Sequence, residues 1–311
     1  MLSKSISCRV ITPLFSFGAN KSTPELRPTE LKGLMRYVYR ITQQNKSNIS
    51  LFQTESELFG STKKPSPLRL QMISEPDGLM LEKNSLTLHR NFIKCYYRNG
   101  KLKEESKSRS IDTNSTFDII LRLKNGAKAG IPWYENMVRL SLYLSGMGKR
   151  TRRARGCVCI NNEKEKTAEE TKIDIVFLLN EVANDGQGEK QKIYEQYNSD
   201  IRPIMTAKED RPVIQKISFG NIIEKNHLEQ FLIAVDTAGH DTKHENGNSW
   251  EDPTGTPKFA SSLIVSIAAT MEGYLPIYTY VKSVYNGREI DADFSKRDKF
   301  QDRIERRRRV K

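Results

Sequence analysis

No stretch of the chain approaches the ~18 consecutive apolar residues of a membrane-spanning helix, which excludes a span of that kind. A secretory leader is not laid out either: Met1–Ser7 is polar, and the apolar run after it is short and broken by Pro13. Cysteine is scarce, with four in 311 residues (Cys8, Cys95, Cys157, Cys159), and none stands in a zinc pattern. Cys157 and Cys159 are one residue apart, which in a strand puts both on one face without the C-x-x-C turn. Reduced, partly buried thiols and a cytoplasmic location are expected. Histidine is equally scarce: His89, His227, His240 and His244 are the whole supply.

What the sequence has is positive charge, unevenly placed. The formal net charge is +13. Residues 1–156 hold 28 Lys/Arg against 12 Asp/Glu, a net of +16, whereas residues 157–311 hold 23 against 26, a net of −3. Two domains with different jobs follow from this asymmetry. The basic half is expected to face nucleic acid or another polyanion, and the acidic half solvent or the basic surface of a protein partner.

Along the chain, Lys4–Ile11 alternates Ile6, Cys8 and Val10 with polar residues and predicts a strand. A helix is expected from Pro28-Thr29-Glu30, with Thr29 as N-cap. Leu31, Leu34, Val38 and Ile41 form its apolar stripe, and Lys32, Arg36 and Arg40 a basic ridge beside it. Such a ridge serves equally as a solvated face or as a phosphate contact. Further strands are predicted at 68–72, 117–123 and 157–160, and helices ending at Gly60 and spanning 135–144. The polar stretch 83–113 reads as an insertion, in which Phe92, Tyr96 and Tyr97 lie among Arg90, Lys94 and Arg98. The order strand, helix, strand, strand, helix, strand is the βαββαβ ferredoxin-like unit.

Residues 161–171 read as a charged linker. Beyond them helices are expected at 172–181, 190–197 and 227–234, and strands at 213–219, 262–270 and 277–284. These define a second, degenerate copy of the unit. The fold class predicted is therefore α+β: two ferredoxin-like domains with insertions, over 1–160 and 172–290, and a basic C-terminal tail at 291–311.

One stretch concentrates the chemistry: Ser145-Gly146-Met147-Gly148-Lys149-Arg150-Thr151-Arg152-Arg153-Ala154-Arg155-Gly156. Its glycines permit positive φ and close backbone approach, and its five cations suit phosphate. It is read as a polyanion site, with a solvated basic loop as the plain alternative. It is not a nucleotide P-loop. Position 143 is Tyr143 where that motif needs glycine, Arg150 follows Lys149, and the loop leaves a helix to enter a strand.

Several segments together carry a resemblance. They are Thr12-Pro13-Leu14-Phe15 with Gly18, Glu25-Leu26-Arg27-Pro28-Thr29-Glu30-Leu31-Lys32-Gly33-Leu34-Met35-Arg36, Glu57-Leu58-Phe59-Gly60, the glycine-rich loop, and Phe259-Ala260-Ser261-Ser262. In this order they resemble the first RAMP subunit of the Cmr complex, the type III-B CRISPR RNA-guided effector. The resemblance implies two ferredoxin-like domains, no catalytic residues and no cofactor. It also implies guide and target RNA and other RAMP subunits as partners, with a place near the 3′ end of the guide. The family loop reads G-x-G-[KR]-R-[ST]-R-R-G-x-G, and here Ala154 replaces the penultimate glycine. RNA contact is expected from Arg27, Lys32, Arg36, Arg40, Gly146, Gly148, Lys149, Arg150, Arg152, Arg153 and Arg155.

The competing function is a metal-independent endoribonuclease, since some members of the superfamily cut guide precursors. That chemistry needs a general base, commonly His, and no histidine lies in the first helix or near the loop. His240 and His244 have i, i+4 metal-ligand spacing, but Gly239 and the Glu-Asn-Gly-Asn run predict a loop there, so no metal site is expected.

Overall fold

A computed structural model describes residues 2–19, 22–86, 95–98, 101–104, 108–161, 166–185, 190–205, 207, 210–246, 252–255, 260–285 and 288–307, with side chains excluded at 95–98, 101–104, 246, 285, 288 and 290. The first sheet is built from β1 (Leu2–Val10), β2 (Leu68–Ile73), β7 (Thr116–Leu123) and β8 (Val158–Ile160), in the order β2-β7-β1-β8. Between β2 and β7 stand two hairpins, β3 (Leu81–Asn84) with β6 (Ser108–Ile111) and β4 (Cys95–Arg98) with β5 (Lys101–Glu104). The insertion thus contains strands. Phe92, Arg90 and Lys94, and the side chains of Tyr96, Tyr97 and Arg98, lie outside the described residues.

The buried face of this sheet follows from strict alternation. Phe117, Ile119, Leu121 and Leu123 of β7 are buried, beside Ile6, Cys8 and Val10 of β1. Helices α1 (Pro28–Thr42) and α3 (Ile131–Leu144) pack on that face, and α2 (Asn48–Phe59) packs beside α1. With β1, α1, β2, β7, α3 and β8 in chain order, this is the ferredoxin-like arrangement. Thr29 is not the N-cap expected: Pro28 opens α1, where its missing N–H costs nothing, and Arg27 occupies the cap position.

The second sheet has the order β12-β13-β11-β10-β9, from β9 (Tyr194–Tyr197), β10 (Asp200–Pro203), β11 (Ile214–Phe219), β12 (Leu263–Thr270) and β13 (Gly273–Val281). A small hairpin, β14 (Ser283–Tyr285) with β15 (Arg288–Ile290), follows β13. Here β11, α5 (Leu228–Asn246), β12, β13 and α6 (Ser295–Arg307) repeat the unit. Its fourth-strand position beside β11 is filled by β10, from earlier in the chain.

Three expectations for this half are corrected. Residues 190–197 end in a strand, because Asn198 takes positive φ (54°) and turns Tyr197 back onto Asp200. The helix at 172–181 is longer: α4 (Ala168–Ala183) starts inside the expected linker, where Thr167 and Glu170 form a capping box. The stretch 291–311, expected as a basic tail that could form a terminal helix, does hold the helix α6, but Phe300 and Ile304 are fully buried, so it is part of the packed unit; residues 308–311 are outside the described set.

Strand β12 is buried on both faces. Leu263, Val265 and Ile267 meet α5 and α6, while Ile264 and Ala268 belong to the core that includes α3 and α4. That core runs on into the first sheet, so the order through the molecule is sheet, helices α1, α3 and α4, sheet, helices α5 and α6. Charge follows the same seam. Lys46 pairs with Asp185, Arg139 with Asp174 through two bonds of 2.8 and 3.0 Å, and Arg155 with Asp236 at 2.6 Å. In each pair the cation comes from the basic half and the carboxylate from the acidic half. Part of the charge asymmetry is therefore neutralised inside the chain.

Candidate nucleic-acid interface

The glycine-rich loop lies at this seam rather than standing open. Its two limbs close on each other: the Met147 N–H donates to the Gly156 carbonyl at 2.9 Å, and a Cβ on Gly146 or Gly156 would overlap the opposite limb's backbone. Gly148 (φ 87°) faces the Phe15 carbonyl, to which the Lys149 N–H donates at 2.9 Å. Gly146 and Gly148, expected to let RNA approach, let the loop approach its own second limb and the 12–18 segment. Gly156→Ala, at φ 65° with a Cβ on the Met147 carbonyl, is predicted to cost about 3 kcal/mol or more, from strain plus overpacking. Denaturant unfolding measures this, and an unchanged midpoint contradicts it.

The second limb docks on the edge of β12. The Ala154 N–H donates to the Val265 carbonyl (2.8 Å) and the Val265 N–H to the Arg152 carbonyl (3.3 Å). Ala154 holds φ 55° with its methyl buried in the cluster of α5, α6 and β12. This accounts for the departure from the family's glycine: the methyl gains apolar contact that offsets a left-handed backbone cost of about 1–2 kcal/mol. Cys157 follows, and burial pushes its thiol up to about 11. It is predicted to resist alkylation at pH 8 until the protein unfolds; rapid labelling of the native chain contradicts this.

The five loop cations divide accordingly. Arg155 is buried, and its Nη2 donates to Asp236 of α5 at 2.6 Å. Arg153 donates to the Thr254 carbonyl at 2.9 Å and stacks over Phe300, and burial pushes its pKa down to about 10. Two of the expected RNA contacts, Arg153 and Arg155, are thus inward-facing ties to the second half. Arg150 reaches the other oxygen of Asp236 at 3.3 Å yet keeps an exposed flank. Arg152 donates to the Ser261 carbonyl and lies over the Tyr37 ring, 4.9 Å from its centroid. Lys149 is exposed and lies over Phe17 at 4.7 Å.

The ridge on α1 divides in the same way. Arg27 donates to the Phe17 carbonyl (3.0 Å). Lys32 is half-buried on Ser66 (2.6 Å), and burial, then Arg36, lowers its pKa. Arg36 donates to Glu55 (2.7 Å) and to the Gly60 carbonyl (3.0 Å), closing α2 onto α1. Arg40 shares Glu55 (2.9 Å) but its side chain is 44% exposed. Arg27, Lys32 and Arg36, the cations of the motif block, therefore tie segments together first.

What remains outward is one contiguous strip. Tyr37 of α1 is the joint, since Arg152 of the loop and Arg40 of its own helix both bear on it electrostatically. Along the strip lie Arg40, Tyr37, Arg152, Arg150, Lys149, Phe17 and Arg27. Cations of this kind suit phosphate, and partly covered aromatics beneath cations have the chemistry to stack on bases. Sequence reasoning missed Tyr37 and Phe17. Tyr37 follows Arg36 directly, and that adjacency to the ridge was its only signal. The open face of the first sheet is a poorer candidate: register places Ser3, Ser5, Ser7, Arg9, Arg69, Arg122, Gln71 and Ile120 there, with no aromatic among the described residues. The stacking platform of an RNA-recognition domain is missing from that face.

The described histidines stand elsewhere. His227 lies in the turn before α5, and His240 and His244 lie on α5 itself. The loop expected around the last two is corrected: α5 continues through Gly239 to Asn246, so both share one helix face.

Comparison with known proteins bears on this arrangement. Residues 7–159, about half of the chain, match the model of the RAMP superfamily. No curated protein sequence matches. Among solved structures the fold is similar to Cmr1 from Pyrococcus furiosus in its apo form, with 16% identity, 92% of this chain and 90% of that chain covered, and a TM-score of 0.57. It is also similar to a chain in the type III-B Cmr-beta complex bound to cognate target RNA, with 13% identity, 96% and 99% covered and a TM-score of 0.57. A further state of Cmr-beta, bound to target RNA and AMPPnP in the presence of ssDNA, matches with 13% identity, 96% and 98% covered and the same TM-score. The α+β fold with two ferredoxin-like units is thus similar to that of Cmr1.

Proposed function

We propose that this chain is a non-catalytic RNA-binding subunit of a type III-B CRISPR effector complex. In this reading it lies near the 3′ end of the guide, helps capture target RNA and contacts other RAMP subunits. The observation that carries it is the strip joining α1 to the glycine-rich loop, where Lys149 covers Phe17 and Arg152 covers Tyr37. Cations hold the phosphates, and recognition is of backbone rather than base sequence. The match to the RAMP superfamily and the likeness to Cmr1 and Cmr-beta chains support the assembly assigned.

The endoribonuclease reading asks for a proton acceptor that titrates near neutrality beside the scissile bond. The strip is made of arginine, lysine, tyrosine and phenylalanine, and burial raises the pKa of Tyr37, the group nearest its centre. Labelled guide RNA incubated with the protein, with or without divalent metal, is expected to stay intact. Cleavage that disappears in a histidine-to-alanine variant overturns the non-catalytic assignment. Co-expression with the other RAMP subunits, followed by sequencing of the RNA that co-purifies, tests the assembly. Recovery of the chain without partners and without guide RNA contradicts it.

A further inference from the structure

Helix α5 places His240 and His244 on one face, four residues apart. Their Nε2 atoms are 3.1 Å apart, with ring centroids at 4.3 Å and a 56° angle between the rings. Without a cation, one imidazole donates its N–H to the bare nitrogen of the other. The same separation suits two cis ligands of one ion. Metal–imidazole bonds of ~2.0–2.1 Å meeting at tetrahedral or square angles put the nitrogens roughly 2.9–3.4 Å apart. The nitrogen spacing of the pair therefore already matches that of a two-imidazole chelate.

The surroundings hold the pair in place and offset most, though not all, of the positive charge that would oppose a cation. Asp241 pairs with Arg307, and Glu245 pairs with Lys299 (3.0 Å) and Arg303, so two carboxylates answer the three cations that α6 brings to this face and one positive charge is left over. Those bridges fasten α5 to α6 next to each histidine and fix the helical rungs. Asp241 also lies 3.5 Å from His240 Nδ1, on the side of the ring away from the shared proton, where a carboxylate orients a ligating imidazole. The His240 side chain is 47% exposed and His244 is exposed, so an ion enters from solvent.

We propose that His240 and His244 form a surface chelate for a borderline divalent transition cation such as Zn2+, Ni2+ or Cu2+. No cluster of three or more His, Cys, Asp or Glu suited to a metal occurs among the described residues, so water completes the coordination. Asp241 is committed to Arg307, and the site binds metal without supplying a free general base for hydrolysis. Hard cations such as Mg2+, which prefer oxygen, are excluded by the ligand type.

Titration calorimetry of the untagged full chain with Ni2+ tests this. One ion per chain is expected, with at least a tenfold loss of affinity in His240→Ala and in His244→Ala and no change in His227→Ala. Millimolar Mg2+ is expected not to compete. An independent readout is the Cu2+ electron paramagnetic resonance spectrum, which should carry coupling to two nitrogens and lose one in either variant. Absence of saturable binding, or the same affinity in the double variant as in the wild type, overturns the proposal.

Discussion

Asp236→Ala is expected to destabilise the protein by about 3–5 kcal/mol, the cost of leaving a buried charge without its partner. Asp236 is wholly buried on α5, and one oxygen takes Arg155 at 2.6 Å while the other takes Arg150 at 3.3 Å. Removal strands the Arg155 guanidinium, which is itself almost fully buried and whose pKa burial already lowers. Arg150 keeps a wet flank and suffers less. Arg155→Met alone is predicted to cost less than Asp236→Ala, because Arg150 still answers the carboxylate. The double variant Asp236→Ala/Arg155→Met should recover part of the loss. Denaturant unfolding of the four proteins measures this. If the double variant is as unstable as the sum of the single ones, Arg155 and Asp236 are not coupled and the lock at the seam is wrongly drawn.

The second large effect concerns RNA. Reversing Arg40, Lys149, Arg150 and Arg152 to Glu is expected to abolish measurable binding of single-stranded RNA at ~0.1 M salt. Four attractions become four repulsions along a strip only a few side chains long. The loss should be alike for unrelated sequences, since phosphate contacts carry no base information. Loss confined to one RNA sequence contradicts backbone recognition. Arg153 and Arg155 are deliberately absent from this set: they face inward, and their replacement is expected to lower stability before it lowers affinity.

Much of the fold was legible in local patterns. The alternation of β1 and β7 and the apolar stripe of α1 translate directly into burial, because each depends only on residues a few positions apart. The misreadings are of two kinds, overlooked local turn and cap signals and partners distant in sequence. Tyr194–Tyr197 is a strand because β10 pairs with it, and Asn198 was the overlooked turn signal. Helix α5 runs through Gly239 because α6 holds its far end by ion pairs. The loop reads in sequence as a polyanion site or a solvated basic loop, yet Arg155 has its counter-ion 81 residues later in the chain, and nothing local signals that. The acidic half, read as facing solvent or a basic partner, offers at least three carboxylates to the basic half of the same chain. The proposed site therefore contracts from eleven residues to a strip of outward cations, with two aromatics added.

The salt dependence of RNA affinity tests this contraction most directly. About four phosphate contacts on single-stranded RNA give a log–log slope of roughly −3 for the wild-type chain. Replacing Arg40, Lys149, Arg150 and Arg152 by Ala should bring the slope close to zero. The unfolding midpoint should fall, since Arg150 also answers Asp236 and Arg40 also answers Glu55, but with the chain still folded at the temperature of the assay. A wild-type slope near zero, or a variant that keeps both affinity and slope, contradicts the assignment of this strip as the RNA-binding surface.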